Sequence, residues 1–252
     1  MCSNDRSTVR TETTAQFFTQ TGISVPAVTA EQMREVDRIA VEETGPNLYQ
    51  MMENAGRNLA LLAIEFLGSS WTAARILVLA GSGGNGGGGM CAARHLANHG
   101  ADVMLCLAAP ERLKEVPAFQ RKVFQSTRGR EIDAAALPKQ RLDLVVDALI
   151  GYGLQASPKG AVAKLLRWAN GAKAPILSLD VPSGVDATTG QAPGECIRPR
   201  WTMTLALPKT GLLQAGELFL ADLGIPEGVY RRMGLNYIAP FGGRSWVRLD
   251  RR

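Results

Sequence analysis

At 252 residues, with 46% hydrophobic and 20% charged side chains, the chain is long enough to bury a full core and too apolar to be disordered. Its net charge of +5 is spread along the sequence, with only a loose basic cluster from Arg244 to Arg252, which suits small anionic ligands and argues against nucleic-acid binding. No apolar run nears the ~20 residues that cross a bilayer, and four cysteines (Cys2, Cys91, Cys106, Cys196) without CxxC or paired spacing point to a reducing, cytoplasmic setting.

Residues 1–24 read as a flexible N-terminal tail. They are rich in Ser and Thr and carry Arg6 and Arg10, which leaves an organellar transit peptide as the alternative, although Asp5 and Glu12 are out of place in one. Thr29-Ala30-Glu31-Gln32 is a capping box that opens a helix through Met33, Val36 and Ile39 to about Glu43, stopped by Gly45-Pro46. A second helix runs from Leu48 to about Phe66, with Met51, Met52, Ala55, Leu59 and Leu62 on one face.

From Arg75 onward short apolar strands alternate with helices. Strands are expected at 75–80, 102–108, 143–149 and 175–180, and helices at 87–99, 111–126 and 160–170. Further strands near 201–207 and 218–222 and a short helix at 226–233 follow, and residues 241–252 read as a basic C-terminal tail. Such alternation builds a parallel sheet wrapped by crossover helices, so residues 25–240 form one α/β domain.

In an open parallel sheet, ligands bind where the loops leave the carboxyl ends of the strands. Three such loops stand out: residues 81–89, 147–154 and 180–186. The first, Gly81-Ser82-Gly83-Gly84-Asn85-Gly86-Gly87-Gly88-Gly89, is phosphate-binding grammar, because glycines bring backbone N–H groups to an anion and the following helix adds partial positive charge. Its match to GxGxxG is unspecific, and the next strand ends Leu107-Ala108-Ala109 without the acidic residue that would hold a dinucleotide ribose. Asp147 and Asp180 each end a strand and head a glycine-bearing loop. With Asn85 and Ser183 they offer oxygen donors alone, a set for a hard cation rather than zinc or copper. His95 and His99, four apart on one helix, lack a third ligand of matching type and read as packing or surface residues.

Six motifs in order carry a resemblance: L-Y-Q-M-M-E-N-A-G from Leu48, the glycine loop into A-A-R-H-L, D-A-L-I-G-Y-G-L from Asp147, D-V-P-S-G-V-D from Asp180, P-K-T-G-L from Pro208 and A-D-L-G-I-P from Ala221. Together they resemble the YjeF N-terminal domain family of NAD(P)H-hydrate epimerases, over about Val28 to Gly234. The resemblance implies a Rossmann-like three-layer α/β/α sandwich with a mostly parallel sheet, an isomerase of nicotinamide-nucleotide repair, and a homodimer acting on hydrated NADH or NADPH. It also implies one potassium ion per subunit and a separate dehydratase as functional partner, with no nucleic acid and no membrane involved.

Position by position, the resemblance assigns substrate contacts to Gly84, Asn85, Gly86, Gly87 and Gly88, to Gly151, Tyr152, Gly153, Leu154, Gln155, Ala156 and Ser157, and to Asp180. It assigns the potassium ligands to Asn85, Asp147 and Ser183. Where the family usually reads G-N-N-G-G-D-G, this chain reads Gly83-Gly84-Asn85-Gly86-Gly87-Gly88-Gly89, so one amide and one carboxylate are missing. With Asp147 given to the cation, Asp180 is the expected proton donor and acceptor for loss and return of the hydroxyl beside the ring nitrogen. The altered glycine loop keeps a non-catalytic nucleotide-binding or scaffold member as the alternative, followed by an NAD-dependent oxidoreductase.

Overall fold

Helix α1 (Ala30–Ile39) and helix α2 (Leu48–Leu67) begin where their side chains satisfy the orphan N–H groups of a first turn. Thr29 accepts from Gln32 N while Gln32 returns an acceptor to Thr29 N, and Asn47 and Gln50 repeat the exchange for α2. After Ile39 the chain continues as a wider π-helical turn, Ala40–Thr44. The computed structural model describes residues 16–252. Residues 1–15 of the expected tail lie outside them.

The strands are β1 (Phe17–Thr19), β2 (Ser24–Val25), β3 (Arg75–Ala80), β4 (Asp102–Leu107), β5 (Arg130–Ile132), β6 (Leu144–Ala148), β7 (Ile176–Leu179), β8 (Trp201–Leu205), β9 (Glu217–Ala221) and β10 (Trp246–Arg251). They form one sheet in the order β2-β1-β10-β9-β8-β7-β6-β3-β4-β5. Every pairing from β5 to β9 is parallel, and those of β10, β1 and β2 are antiparallel. The remaining helices are α3 (Gly84–His99), α4 (Glu115–Phe124), α5 (Gly160–Gly171) and α6 (Glu227–Arg232).

Alternate side chains of the central strands enter opposite layers, as the near-continuous apolar runs require. Ile76, Val78 and Ala80 of β3 pack with α2 and α3, whereas Leu77 and Leu79 pack with Leu165, Leu166 and Ala169 of α5. A third cluster joins α1, α6 and the antiparallel end. The expected three-layer α/β sandwich with a mostly parallel sheet is present. Among the described residues no helix is long and apolar enough to cross a membrane.

The tail boundaries need correction. Phe17 is fully buried and pairs with Val25 on one side and Arg251 on the other, so residues 17–25 and 246–251 are sheet edge, not tail. Strands of two and three residues carry too little alternation to be legible alone, and β1 finds its partner β10 only at the other end of the chain. The helix expected at 87–99 starts three residues earlier, and that expected at 111–126 divides into a 3-10 turn, Pro110–Arg112, and α4.

Candidate functional site

β3 lies between β4 and β6, so the chain leaves β3 toward one side of the sheet and returns on the other. The loops after β3 and β6 therefore diverge, which opens a crevice at their carboxyl ends. A cleft of about 720 Å³ occupies this place, walled by the two loops, the ends of β7 and β8, α1, and the starts of α2 and α4.

The glycine segment splits into a turn and a helix. Gly81 N donates to Ala148 O at 3.0 Å, tying the loop to β6, and Gly83 is an N-cap without a side-chain bond, which leaves the first N–H groups of α3 for a ligand. Later glycines serve close packing instead. A Cβ on Gly86 would overlap the Gly81 carbonyl, and one on Gly89 would overlap Ala148. The two positions that depart from the family pattern differ from each other. A Cβ on Gly84 meets nothing within 4 Å, whereas one on Gly88 comes within 2.8 Å of Leu179 Cδ2.

Between these glycines stands Asn85, whose amide oxygen and nitrogen are both buried without a partner among the described residues. Orphaned buried amide atoms cost stability unless a ligand completes them. Gly151 places the neighbours of that amide: a Cβ there would lie 2.8 Å from Asp180 Oδ2 and 3.1 Å from Asn85 Oδ1. The tips of Asn85 and Asp180 thus converge over a residue that must be glycine.

Asp147 is completely buried and pairs directly with Ser178 in the β6–β7 ladder. Its carboxylate accepts from Ser178 Oγ at 2.8 Å, Ser183 N at 2.9 Å, Ser183 Oγ at 2.6 Å and Leu149 N at 3.3 Å. Burial pushes the Asp147 carboxyl above its ordinary range, against the pull of these bonds. All four donors are neutral, and no cationic side chain pairs with Asp147 among the described residues. A buried carboxylate without a cationic partner and an orphaned amide, each offering oxygen donors, suit a hard cation better than zinc or copper.

Asp180 takes a left-handed backbone, φ 69°, at the end of β7, and Ala206 does the same, φ 62°, at the end of neighbouring β8. Such conformations are costly for side-chain-bearing residues and tend to collect at functional sites. Asp180 Oδ1 accepts from Lys209 Nζ at 2.5 Å, and Oδ2 accepts from Tyr152 N at 2.9 Å. Lys209 is fully buried and also donates to Leu205 O at 2.9 Å. A desolvated ion pair therefore forms part of the cleft wall.

Of the residues singled out in the sequence, Gly84, Asn85, Gly88, Gly151, Tyr152, Gly153 and Asp180 reach the cleft. Asp147 and Ser183 lie bonded to each other outside its lining, and Gly86 and Gly87 are buried in packing. Residues 154–157 are not part of the wall, and Ser157 lies against Gly194. Sequence reasoning missed Lys209 and Asp37. Lys209 follows Leu207-Pro208 after a strand, an unusual place for a lysine that does not reach water. Asp37 stands four residues after Met33, on the edge of the apolar face of α1.

A second titratable cluster pins α2 to α3 at Glu53, Cys91, Arg94 and His95. Glu53 Oε1 meets His95 Nε2 at 2.8 Å, and Arg94 Nη2 contacts Glu53 Oε2 and lies 3.2 Å from Cys91 Sγ. The guanidinium thus takes the place a metal ion would need. Burial pushes the Cys91 thiol up to about 12, so it is no ready ligand.

Known proteins resemble the chain in sequence and in fold. The family described as YjeF-related protein N-terminus matches residues 48–211. An NAD(P)H-hydrate epimerase of Dehalogenimonas lykanthroporepellens is 54% identical over 237 residues, covering 93% of this chain and 97% of its own. A bifunctional NAD(P)H-hydrate repair enzyme Nnr of Moorella thermoacetica is 35% identical over 79% of this chain, which spans 41% of that longer protein. The crystal structure of yeast ynu0 superposes with a TM-score of 0.76 at 21% identity, covering 89% of this chain and all of that one, a likeness of fold. With the family match spanning β3 to β8 and every loop of the cleft floor, the chain belongs to the YjeF-related protein N-terminus family.

Proposed function

We propose that the protein is an isomerase that interconverts the R and S forms of hydrated NADH and NADPH, a repair reaction of nicotinamide nucleotides. The observation that carries this reading is the 54% identity, over nearly the whole of both chains, to an NAD(P)H-hydrate epimerase. The cleft supplies the chemistry. The free N–H groups at the start of α3 bind the pyrophosphate, while Asp180 and Lys209 meet the ring. Loss of the hydroxyl beside the ring nitrogen leaves an iminium, and water returns on the other face, with no change of oxidation state. Asp180, held by Lys209 and by Tyr152 N, takes or returns the proton.

Asn85, Asp147 and Ser183 are the residues that would hold a potassium ion. Such an ion supplies positive charge beside an anionic substrate and balances the buried Asp147. The partner reading is a homodimer working alongside a separate dehydratase in the cytoplasm, in keeping with a relative named as a bifunctional repair enzyme. Gly84 and Gly88 favour one second reading, a member that binds nucleotide without turning it over. Purified protein incubated with mixed hydrates and an S-specific dehydratase, with and without potassium, tests both. Full consumption above the spontaneous rate supports the epimerase. Binding of the hydrates without acceleration supports the second reading and sinks the first.

A further inference from the structure

One polar pair in the cleft stands outside the Asp180–Lys209 ion pair. Tyr152 donates its hydroxyl to Asp37 Oδ2 at 2.5 Å, while its backbone N–H goes to Asp180 Oδ2. A single residue thus links two carboxylates about one tyrosine side chain apart, and both of them line the cleft together with Lys209. Asp37 comes from α1, outside the stretch that matches the family, and borders the buried face made by Met33, Val36 and Ile39. A carboxylate in that place is a liability for packing alone. Burial raises its pKa, partly offset by the Tyr152 bond and by Lys209, and the charge of Asp180 raises it further. Two carboxyls kept in unlike surroundings are how one site carries both an acid and a base.

The reaction moves one proton in and one out. The hydroxyl takes a proton and leaves as water while the ring-nitrogen lone pair forms the C=N bond. Water then adds to the opposite face and gives up a proton, and the C=N pair returns to nitrogen. No oxidant or reductant enters. One carboxyl would have to serve both faces, whereas two groups serve one face each and exchange roles between the two directions.

We propose that Tyr152, backed by Asp37, is the second proton-handling group of the cleft and serves the ring face that Asp180 does not. This deepens the epimerase reading and rests on it. The Tyr152 hydroxyl meets the substrate oxygen, and Asp37 is a positioning residue that acts through it by holding or supplying the proton.

The test is steady-state interconversion of separated R and S hydrates, followed by chromatography in both directions, for wild type, Tyr152→Phe, Asp37→Asn and the double variant. Both single variants should lower kcat by at least ~10²-fold in each direction with KM within about threefold, the range expected for loss of one acid–base group. The double variant should be no slower than the slower single, because the two act as one unit. A kcat within about threefold of wild type in either single variant, or a KM that rises as far as kcat falls, overturns the second group. Tyr152→Phe removes one hydroxyl and decides the matter alone if Asp37→Asn does not fold. Wild-type protein that fails to accelerate the interconversion overturns the epimerase reading along with the inference, an outcome distinct from active wild type with active variants.

Discussion

Replacing Lys209 by methionine removes the cation from a pair shut off from water. Lys209 is fully buried, Asp180 is 3% exposed, and their charged atoms stand 2.5 Å apart. Methionine keeps most of the apolar stem, so what is lost is the charge. Among the described residues, Asp180 then retains only the Tyr152 N–H as donor. Breaking a buried pair by removing one partner costs about 3–5 kcal/mol, because the survivor stays desolvated. For a domain of this length that amounts to a fall in Tm of roughly 6–20 °C, at about 2–4 °C per kcal/mol. Asp180→Asn should be destabilised as well, since it strands the Lys209 ammonium. The double variant Asp180→Asn/Lys209→Met removes both charges. Asparagine tolerates the left-handed backbone at this position, so the double variant should lie within about 2 kcal/mol of wild type. Urea unfolding of all four proteins, followed by circular dichroism, measures the coupling. A Lys209→Met protein less than about 1 kcal/mol below wild type, or a double variant as unstable as the sum of the singles, would show that the two charges are not coupled.

Three other outcomes are expected. Potassium should raise Tm more than an equal concentration of sodium, by about 2.7 kcal/mol of stability at a hundred times its Kd, and Asn85→Ala should abolish the difference; an equal response to both salts rules out a selective site. Gly84→Ala should leave urea stability unchanged or slightly raised, since its Cβ meets open space, whereas Gly86→Ala should lose about 1–3 kcal/mol from overlap with the Gly81 carbonyl. Burial raises the pKa of Glu53, but the bonds from Arg94 and His95 more than offset that and leave it below its ordinary 4.5. Its contribution is therefore present above 4.5 and fades as pH falls through the lowered value, so the Tm gap between wild type and Glu53→Gln should narrow as pH falls below 4.5. A gap that widens on acidification contradicts this sign.

The central fold was legible because its signals are local. Capping residues Thr29 and Gln32 and the apolar face of α2 each lie within one element, and the expected strands and helices from β3 to β9 recur within a few residues, except β5 at Arg130–Ile132, three residues that no periodicity marks. Asn85, Asp147, Asp180 and Ser183 stood out as candidates for the same reason, since each lies at or just after a strand end or helix start with unusual turn chemistry around it. The sheet edge was not legible. β1 is three residues long, β2 is two, and their meaning comes from β10 at the far end of the chain.

Local patterns in the amino-acid order mark the longer helices, the central strands and the loops that carry oxygen donors and glycines, because propensity, capping and turn conformation act over a few neighbours. Which charge offsets which follows from the three-dimensional arrangement alone. Lys209 reaches Asp180 across 29 residues and Asp37 reaches Tyr152 across 115. A buried charge is tolerable only beside its partner, and which partner that is depends on the loops the sheet order brings to one crevice.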